Sequence, residues 1–281
     1  MCLKPEQVKG SIRNIAKKNQ ADARTLMRIF MMERFLERIA ASEYKNNFIL
    51  KGGILVTSMV GVALRSTMDI DTSIRNQDLT LNNVTQIIEK IKNMDIDDGV
   101  IFEIKNISKI MDEMEYPGIR FAINAKMGKM ITPIKIDIST GDVITPEAIE
   151  YHYKLMLEER TINLCSYNLE TILAEKFQTI LSRGILNTRM RDYYDIRTLM
   201  MLYNHNLDNT VLKNAFNETC TQRNSQRLIE EASGIIEMVS ADINIQILWK
   251  KYQNKYSYAK DISFEEIVQH LKYLSCKISE G

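Results

Sequence analysis

The chain has 281 residues, with 37 Lys+Arg against 36 Asp+Glu and a formal net charge of +1. That balance excludes a protein that grips long nucleic acid by bulk charge, though it leaves room for a local basic patch. Hydrophobic residues at 45% and charged residues at 26% exclude wholesale disorder, and the length suits one large domain or two smaller ones that fold without disulfides or a structural metal.

Only 11 Gly and 4 Pro punctuate the chain, so long helices are expected. From Ala21 to Tyr44, Leu26, Ile29, Phe30, Met32, Leu36, Ile39 and Ala40 recur at helical spacing, with Arg24, Arg28, Arg34, Glu37 and Arg38 on the polar face. Phe48-Ile49-Leu50 reads as a buried strand entering a glycine turn at Lys51-Gly52-Gly53, and Ile54 to Leu64 as a helix. Met68 to Ile74 alternates like a strand, and Leu81 to Met94 carries Val84, Ile87, Ile88 and Ile91 on one helical stripe. Val100 to Ile107, Ile119 to Ala125 and Ile131 to Ser139 alternate as strands, with turn signals at Tyr116-Pro117-Gly118 and Met127-Gly128. After Thr145-Pro146 the remaining elements read as helices. Asn168 caps one through Leu186 and Thr188 caps one through Tyr203; others follow over Asn209–Cys220, Arg227–Ser240, Ile243–Tyr256 and Phe264–Ser275. The pattern predicts an α+β fold: a mixed-sheet core with N-terminal helices over 1–150, and a helical domain over 151–281 that completes the active-site cleft.

Cys2, Cys165, Cys220 and Cys276 form no C-x-x-C pair, and His152, His205 and His270 stand at no metal-ligand spacing. Zinc chemistry is not expected, and free thiols in a reducing cytoplasm are. No apolar run approaches ~18 residues and no signal-peptide core opens the chain, so neither a membrane span nor export by that route is expected.

The chemistry concentrates in two acidic clusters. Asp69 and Asp71 are two apart on a strand, so both side chains share one face while Met68, Ile70 and Thr72 take the other. Adjacent carboxylates repel unless a cation neutralises them, and Mg²⁺ (or Mn²⁺) favours such oxygens together with substrate phosphates. Asp137, between Ile136 and Ile138 on another strand, supplies a third acid if its strand lies beside Asp69-Ile70-Asp71. Three acids suit two cations ~3.5–4 Å apart. Gly52 and Gly53, at a strand-to-helix turn, open backbone N–H groups to a phosphate. Further on, Lys176 lies inside the apolar stripe of Leu169, Ile172, Leu173, Phe177, Ile180 and Leu181, where its ammonium needs a partner such as a nucleotide triphosphate. Asp192 and Asp195 share a face of the next helix, placed to orient Lys176 or Arg65 or to help hold substrate.

The ordered set Lys51-Gly52-Gly53, Arg65-Ser66-Thr67-Met68-Asp69-Ile70-Asp71, the distant Asp137, Ala174-Glu175-Lys176 and Arg189-Met190-Arg191-Asp192-Tyr193-Tyr194-Asp195 resembles the AbiEii/AbiGii toxin family, which includes the MenT toxins. That family lies within the DNA polymerase β-like nucleotidyltransferase superfamily. The resemblance implies a polymerase β-like core and a bacterial toxin of a toxin–antitoxin or abortive-infection system. It implies transfer of nucleotides from an NTP to an acceptor, with tRNA 3′ ends one candidate, and a cognate antitoxin that commonly has a winged-helix part. It implies Asp69, Asp71 and Asp137 as metal ligands and catalytic residues, with Lys176 and Asp192 beside them. Gly52, Gly53, Thr57, Arg65, Thr67, Lys176 and Asp195 fall on the substrate side. Ile54 departs from the Ser or Thr that many members carry after the glycines, which leaves the cradle to backbone groups or to Thr57 or Ser58. Lys126, Lys129, Arg183, Arg189 and Arg191 are the candidate basic patch for tRNA. Two other classes compete: a non-catalytic nucleotide-binding module, which Ile54 favours and Asp137 opposes, and a metal-dependent glycosyltransferase, which lacks the dinucleotide-fold half that should precede its Asp-x-Asp.

Overall fold

The structure, a computed structural model, describes residues 4–110 and 118–281; the thiol expected at Cys2 and the turn expected at Tyr116-Pro117 lie outside them. The elements run α1 (Pro5–Asn19), α2 (Ala23–Ala41), β1 (Phe48–Lys51), α3 (Gly52–Val60), β2 (Asp69–Ile74), α4 (Leu81–Lys92), β3 (Ile101–Ile110), β4 (Gly118–Met127), β5 (Met130–Ser139), β6 (Ile149–Lys154) and β7 (Thr161–Ser166). Five helices follow: α5 (Leu169–Arg183), α6 (Met190–Tyr203), α7 (Asn209–Gln222), α8 (Leu228–Ala241) and α9 (Ile243–Lys255), then α10 (Phe264–Glu280) closes the chain. The fold is α+β, on one seven-stranded mixed sheet of order β3-β4-β5-β2-β1-β7-β6. β2 pairs with β5 and β1 with β7 in parallel; the other neighbours are antiparallel.

Two compact units divide the chain: Met1–Asp142 with Ile149–Ser166, and Val143–Ala148 with Tyr167–Gly281. In the first, β1 is buried at every position, which accounts for its unbroken apolar run Phe48-Ile49-Leu50, because a strand covered on both faces gains nothing from alternation. β2 and β5 do alternate. Ile70, Ile134, Ile136 and Ile138 are buried, each worth about 1.5–3 kcal/mol relative to exposure, and α2 packs on β5 and β7. The opposite face of the same strands carries Asp69, Asp71, Lys135 and Asp137.

The polar face expected on α2 is not a solvent face. Arg38 donates to both carboxylate oxygens of Asp98 at 2.7 and 2.9 Å and to the Val100 carbonyl at 2.8 Å, and Arg34 pairs with Glu37 and Glu158. Glu33, also on α2, accepts the Met156 N–H at 3.0 and 3.1 Å. Glu33 and Arg34 tie the helix to the β6–β7 connection, and Arg38 ties it to the segment before β3, so these buried charges have partners.

Two expectations are corrected. The chain past residue 145 is not wholly helical: β6 and β7 extend the sheet, their inward positions being Tyr153, Ile162 and Leu164. Helix α1, which packs on α2, went unread. The helix after the glycine turn stops at Val60 rather than Leu64 because Gly61 adopts φ +89° and donates its N–H to the Thr57 carbonyl at 2.8 Å.

In the second unit Asn168 caps α5 as expected, accepting the Thr171 N–H at 2.8 Å. That helix ends at Arg183, and Gly184–Leu186 continue as a single 3₁₀ turn. Phe177 of α5 and Phe216 of α7 meet at 5.4 Å between ring centres. Around them α10 packs on α6, α7 and α8. Cys165, Cys220 and Cys276 are free.

Candidate active site

The register brings the expected acids together. On β2 and β5, Asp71 is the direct partner of Asp137 and Asp69 the partner of Lys135. Lys51 on β1 opposes Asp71, and Arg120 on β4 opposes Asp137. Directly paired residues share a face. One transverse row across four strands therefore reads Arg120, Asp137, Asp71, Lys51, with Asp69 two residues along β2 on the same side.

The charges in that row are unevenly matched. Burial pushes the Asp69 carboxyl up, as does the Asp137 charge, while Lys135, Arg120 and Arg28 pull it down. Burial likewise pushes Asp71 up, with Asp137 and Asp69 adding repulsion, against the Gly53 N–H and Lys51. Asp137 is gripped by a fork: the Arg120 Nε meets its Oδ1 at 2.7 Å and Nη2 meets Oδ2 at 2.6 Å. Among the described residues no three His, Cys, Asp or Glu side chains stand close enough to hold a metal ion as they are, and both Asp137 oxygens are taken up by this fork. The donor set nonetheless fits a hard divalent cation. It consists of carboxylate oxygens on rigid strands, and two of them carry mutual repulsion that a cation relieves.

The glycine turn is built around Asp71. Gly53 N–H donates to the Asp71 Oδ2 at 3.1 Å. Gly52 has φ +62°, and a Cβ there would lie 2.8 Å from the Asp71 Cβ. A Cβ on Gly53 would lie 2.9 Å from Arg65 Nη1. Close approach thus calls for glycine at both positions, and at Gly52 the backbone conformation does so as well.

Arg65 and Thr57, expected on the substrate side, are each 1% exposed and serve the turn. Arg65 Nη1 donates to the Gly53 carbonyl at 2.9 Å, to Thr57 Oγ1 at 3.2 Å and to the Ser66 carbonyl at 3.2 Å. Thr57 Oγ1 donates in turn to the Gly53 carbonyl at 2.9 Å. Thr67 is also buried. Ser58 bonds the Leu55 carbonyl and Tyr151. Ile54 points into the core, fully buried. The structure thus presents the backbone of the turn, rather than these hydroxyls, at the acidic row.

Sequence reasoning missed three residues here. Asp142 accepts from Lys51 Nζ at 2.7 Å, and Lys51 also donates to Ser139 Oγ at 2.8 Å. Burial raises Asp142, but Lys51, Ser73 and Ser139 outweigh it and hold the carboxyl below its ordinary value. Lys51 is thereby fixed at the end of the row. The third is Arg120. Its signal was present, since Arg120 alternates with Ile119 and Phe121, but only the register shows which acid it faces.

In the helical unit Lys176 Nζ lies 2.8 Å from both Asp192 Oδ1 and Asp195 Oδ2, and Arg189 Nε lies 2.9 Å from the other Asp192 oxygen. The partner expected for the Lys176 ammonium is thus this pair of acids. Of the candidate basic patch, Lys126 pairs with Glu103, Arg189 with Asp192, and Arg191 sits against Tyr256, donating to its hydroxyl at 3.3 Å. Lys126 and Lys129 lie in one unit, and Arg183, Arg189 and Arg191 in the other.

Among solved structures the chain is similar to a candidate nucleotidyltransferase from H. pylori, with a TM-score of 0.49 and 15% identity over 91% of this chain and 96% of that one. It is similar to JHP933 from Helicobacter pylori, with a TM-score of 0.49 and 15% identity over 91% and 94% of the two chains. An antigenic nucleotidyltransferase-like protein from Paracoccidioides brasiliensis matches with a TM-score of 0.38 and 15% identity over 71% and 90%. No curated protein matches. The model of one family, described as nucleotidyl transferase AbiEii toxin of type IV toxin–antitoxin systems, matches residues 34–270. That span holds every motif from Lys51 to Asp195, and the chain belongs to the AbiEii nucleotidyl transferase toxin family.

Proposed function

We propose that the chain is a divalent-metal-dependent toxin that moves a nucleotidyl group from an NTP onto an acceptor hydroxyl, within a toxin–antitoxin pair. The observation that carries this reading is the register placing Asp71 beside Asp137, with Asp69 on the same face and the glycine turn against Asp71. Asp69, Asp71 and Asp137 hold the cations, Mg²⁺ or Mn²⁺. When bound, such ions polarise the α-phosphate, neutralise the leaving pyrophosphate and make the acceptor hydroxyl a better nucleophile. The backbone of Gly52 and Gly53, at the start of α3, faces the phosphates, while Arg65 and Thr57 keep that turn in shape. Asp137 takes the acceptor proton as general base. Lys176, oriented by Asp192 and Asp195, is the phosphate-binding cation of the helical unit.

RNA is the acceptor class to test first, with tRNA 3′ ends the particular candidate; the cognate antitoxin, with a winged-helix part, is the expected protein partner. Purified chain is incubated with each α-³²P-labelled NTP, Mg²⁺ and total bacterial RNA, beside an Asp69→Asn variant. Label appearing in RNA with wild type and not with Asp69→Asn supports the reading. Nucleotide binding without any transfer to RNA or protein overturns it.

A further inference from the structure

The stretch that runs from α9 into the turn after it, Lys250-Lys251-Tyr252-Gln253-Asn254-Lys255-Tyr256-Ser257-Tyr258-Ala259-Lys260, mixes lysine with tyrosine and holds no acid. Its lysines are all exposed. Lys251 and Lys255 stand four apart on α9, where like charges share a face and repel. The aromatic rings form a continuous stack. Trp249 lies 5.4 Å from Tyr252, Tyr252 lies 4.7 Å from Tyr256, and Tyr256 lies 5.2 Å from Tyr258, the last pair only 20° from parallel. Trp249 and Tyr252 are buried and anchor the inner end, while Tyr256 and Tyr258 are half-buried and form the outer end. Tyr194 of α6 supports Tyr258 at 4.8 Å.

Cations surround that outer end. The Arg191 guanidinium lies 6.0 Å from the Tyr256 ring centre and donates to its hydroxyl at 3.3 Å, and the Lys255 ammonium lies 5.3 Å from the same ring. Burial pushes the Tyr256 hydroxyl up, but Arg191 and Lys255 outweigh it and hold it below its ordinary value. Among the described residues, neither Arg191 nor these four lysines forms an ion pair with a carboxylate. Two acids border the stretch. Asp195, whose charge reaches Tyr252, is held by Lys176 at 2.8 Å, and Asp261 follows Lys260 in sequence. Half-exposed rings beside cations without a matched anion suit an unpaired nucleic-acid strand, whose bases stack on any π-face while its phosphates take the charges. A duplex hides its base faces, and cations spread over two elements suit a chain of phosphates better than a single nucleotide.

We propose that Tyr256 and Tyr258, with Arg191, Lys251 and Lys255, form a binding strip for the unpaired end of an RNA strand. Bases lie against the two tyrosines, and phosphates pair with the three cations. The proposal deepens the nucleotidyl-transfer reading and rests on it for the role of that RNA as acceptor. Helix α6 carries Arg191 together with Asp192 and Asp195, so the strip adjoins the Lys176 cluster within the helical unit. A strand held there is presented beside the ammonium assigned to phosphate.

The test is fluorescence anisotropy of a 5′-fluorescein-labelled single-stranded RNA dodecamer titrated with the full chain in EDTA and without NTP, so that neither metal nor transfer enters. Wild type is compared with Tyr256→Leu/Tyr258→Leu, Tyr256→Phe/Tyr258→Phe and Lys251→Gln/Lys255→Gln, each checked for folding by its melting curve. The leucine pair should bind roughly tenfold more weakly, and the phenylalanine pair, which keeps both rings, close to wild type. The glutamine pair should lower the slope of log affinity against log salt by about 0.7 for each lysine removed. A blunt RNA duplex of the same length should bind more weakly than the single strand and ignore the leucine changes. A folded leucine pair that binds the single strand as wild type does, or that loses single strand and duplex equally, overturns the proposal; so does displacement of the RNA from wild type by an equimolar NTP. Should the leucine pair fail to fold, 4-thiouridine RNA crosslinked to wild type decides: adducts on Tyr256 or Tyr258 support the strip, and adducts confined to other peptides overturn it. Unchanged binding by the leucine pair with label transfer intact removes the strip alone. Weakened binding by that pair, when wild type transfers no label, removes the nucleotidyl-transfer reading and leaves the strip as an RNA site.

Discussion

Gly52 shows how much a single position decides. Its φ of +62° suits glycine, and the space a Cβ would fill belongs to Asp71. Gly52→Ala should therefore cost about 1–2 kcal/mol from left-handed backbone strain alone, and it should abolish transfer by pushing Asp71 aside. Gly234→Ala is the contrast: that glycine lies inside α8 with nothing near its would-be Cβ, so alanine should add about 0.5–1 kcal/mol of stability and leave transfer unchanged. Chemical denaturation with an activity assay reads both. An unaffected Gly52→Ala enzyme would contradict the account of the turn. At this scale the sequence was generous. Asp69, Asp71, Gly52 and Gly53 declare themselves by spacing, because the period of a strand dictates shared faces. It was silent about Arg65 and Thr57 serving the turn and about Arg120 facing Asp137, since those facts need a register that no local pattern carries.

Between elements, the Lys176 cluster joins α5 to α6. Asp195 is fully buried and Asp192 nearly so, so removing the shared ammonium takes one cation from two buried carboxylates at once. Lys176→Met is expected to destabilise the chain by about 3–5 kcal/mol, and Asp192→Asn with Asp195→Asn in the same background should restore most of it. Thermal melts of the three proteins measure this. A Lys176→Met variant as stable as wild type would show that the cluster does not hold these helices. The helices of this unit were legible from their stripes and caps, as Asn168 shows. Strands β6 and β7 are hard to read although Ile162 and Leu164 alternate, because β6 is a sheet edge with only Tyr153 buried and the hairpin lies next to a helix-rich stretch. Only pairing with β1 through β7 reveals them as sheet.

For the molecule as a whole, the clasp of α2 on the β6–β7 connection sets a pH dependence. Burial pushes the Glu33 carboxyl up to about 8, against the Met156 N–H, Arg34 and Tyr153, which lower it. A carboxyl raised on folding favours the native state while it is protonated in both states. That contribution is full below the unfolded carboxylate pKa of about 4.3 and falls as pH rises through about 8. Wild-type melting temperature should decline across that window from this group. Glu33→Gln should flatten the decline and melt higher than wild type at alkaline pH. Parallel melting profiles of the two proteins would contradict the assignment. No helix among the described residues is long and apolar enough to cross a membrane, in line with the composition. Of the basic residues expected to form a patch, Lys126, Arg189 and Arg191 are engaged with Glu103, Asp192 and Tyr256.

The central claim is that Asp69, Asp71 and Asp137 meet around divalent ions, and a crystal soaked with Mn²⁺ and a non-hydrolysable NTP analogue addresses it most directly. The account expects manganese anomalous signal against the carboxylates of Asp69 and Asp71, with Asp137 released from Arg120 and turned to the metal. Manganese found elsewhere, or none beside Asp69 and Asp71 while nucleotide is bound, would contradict it.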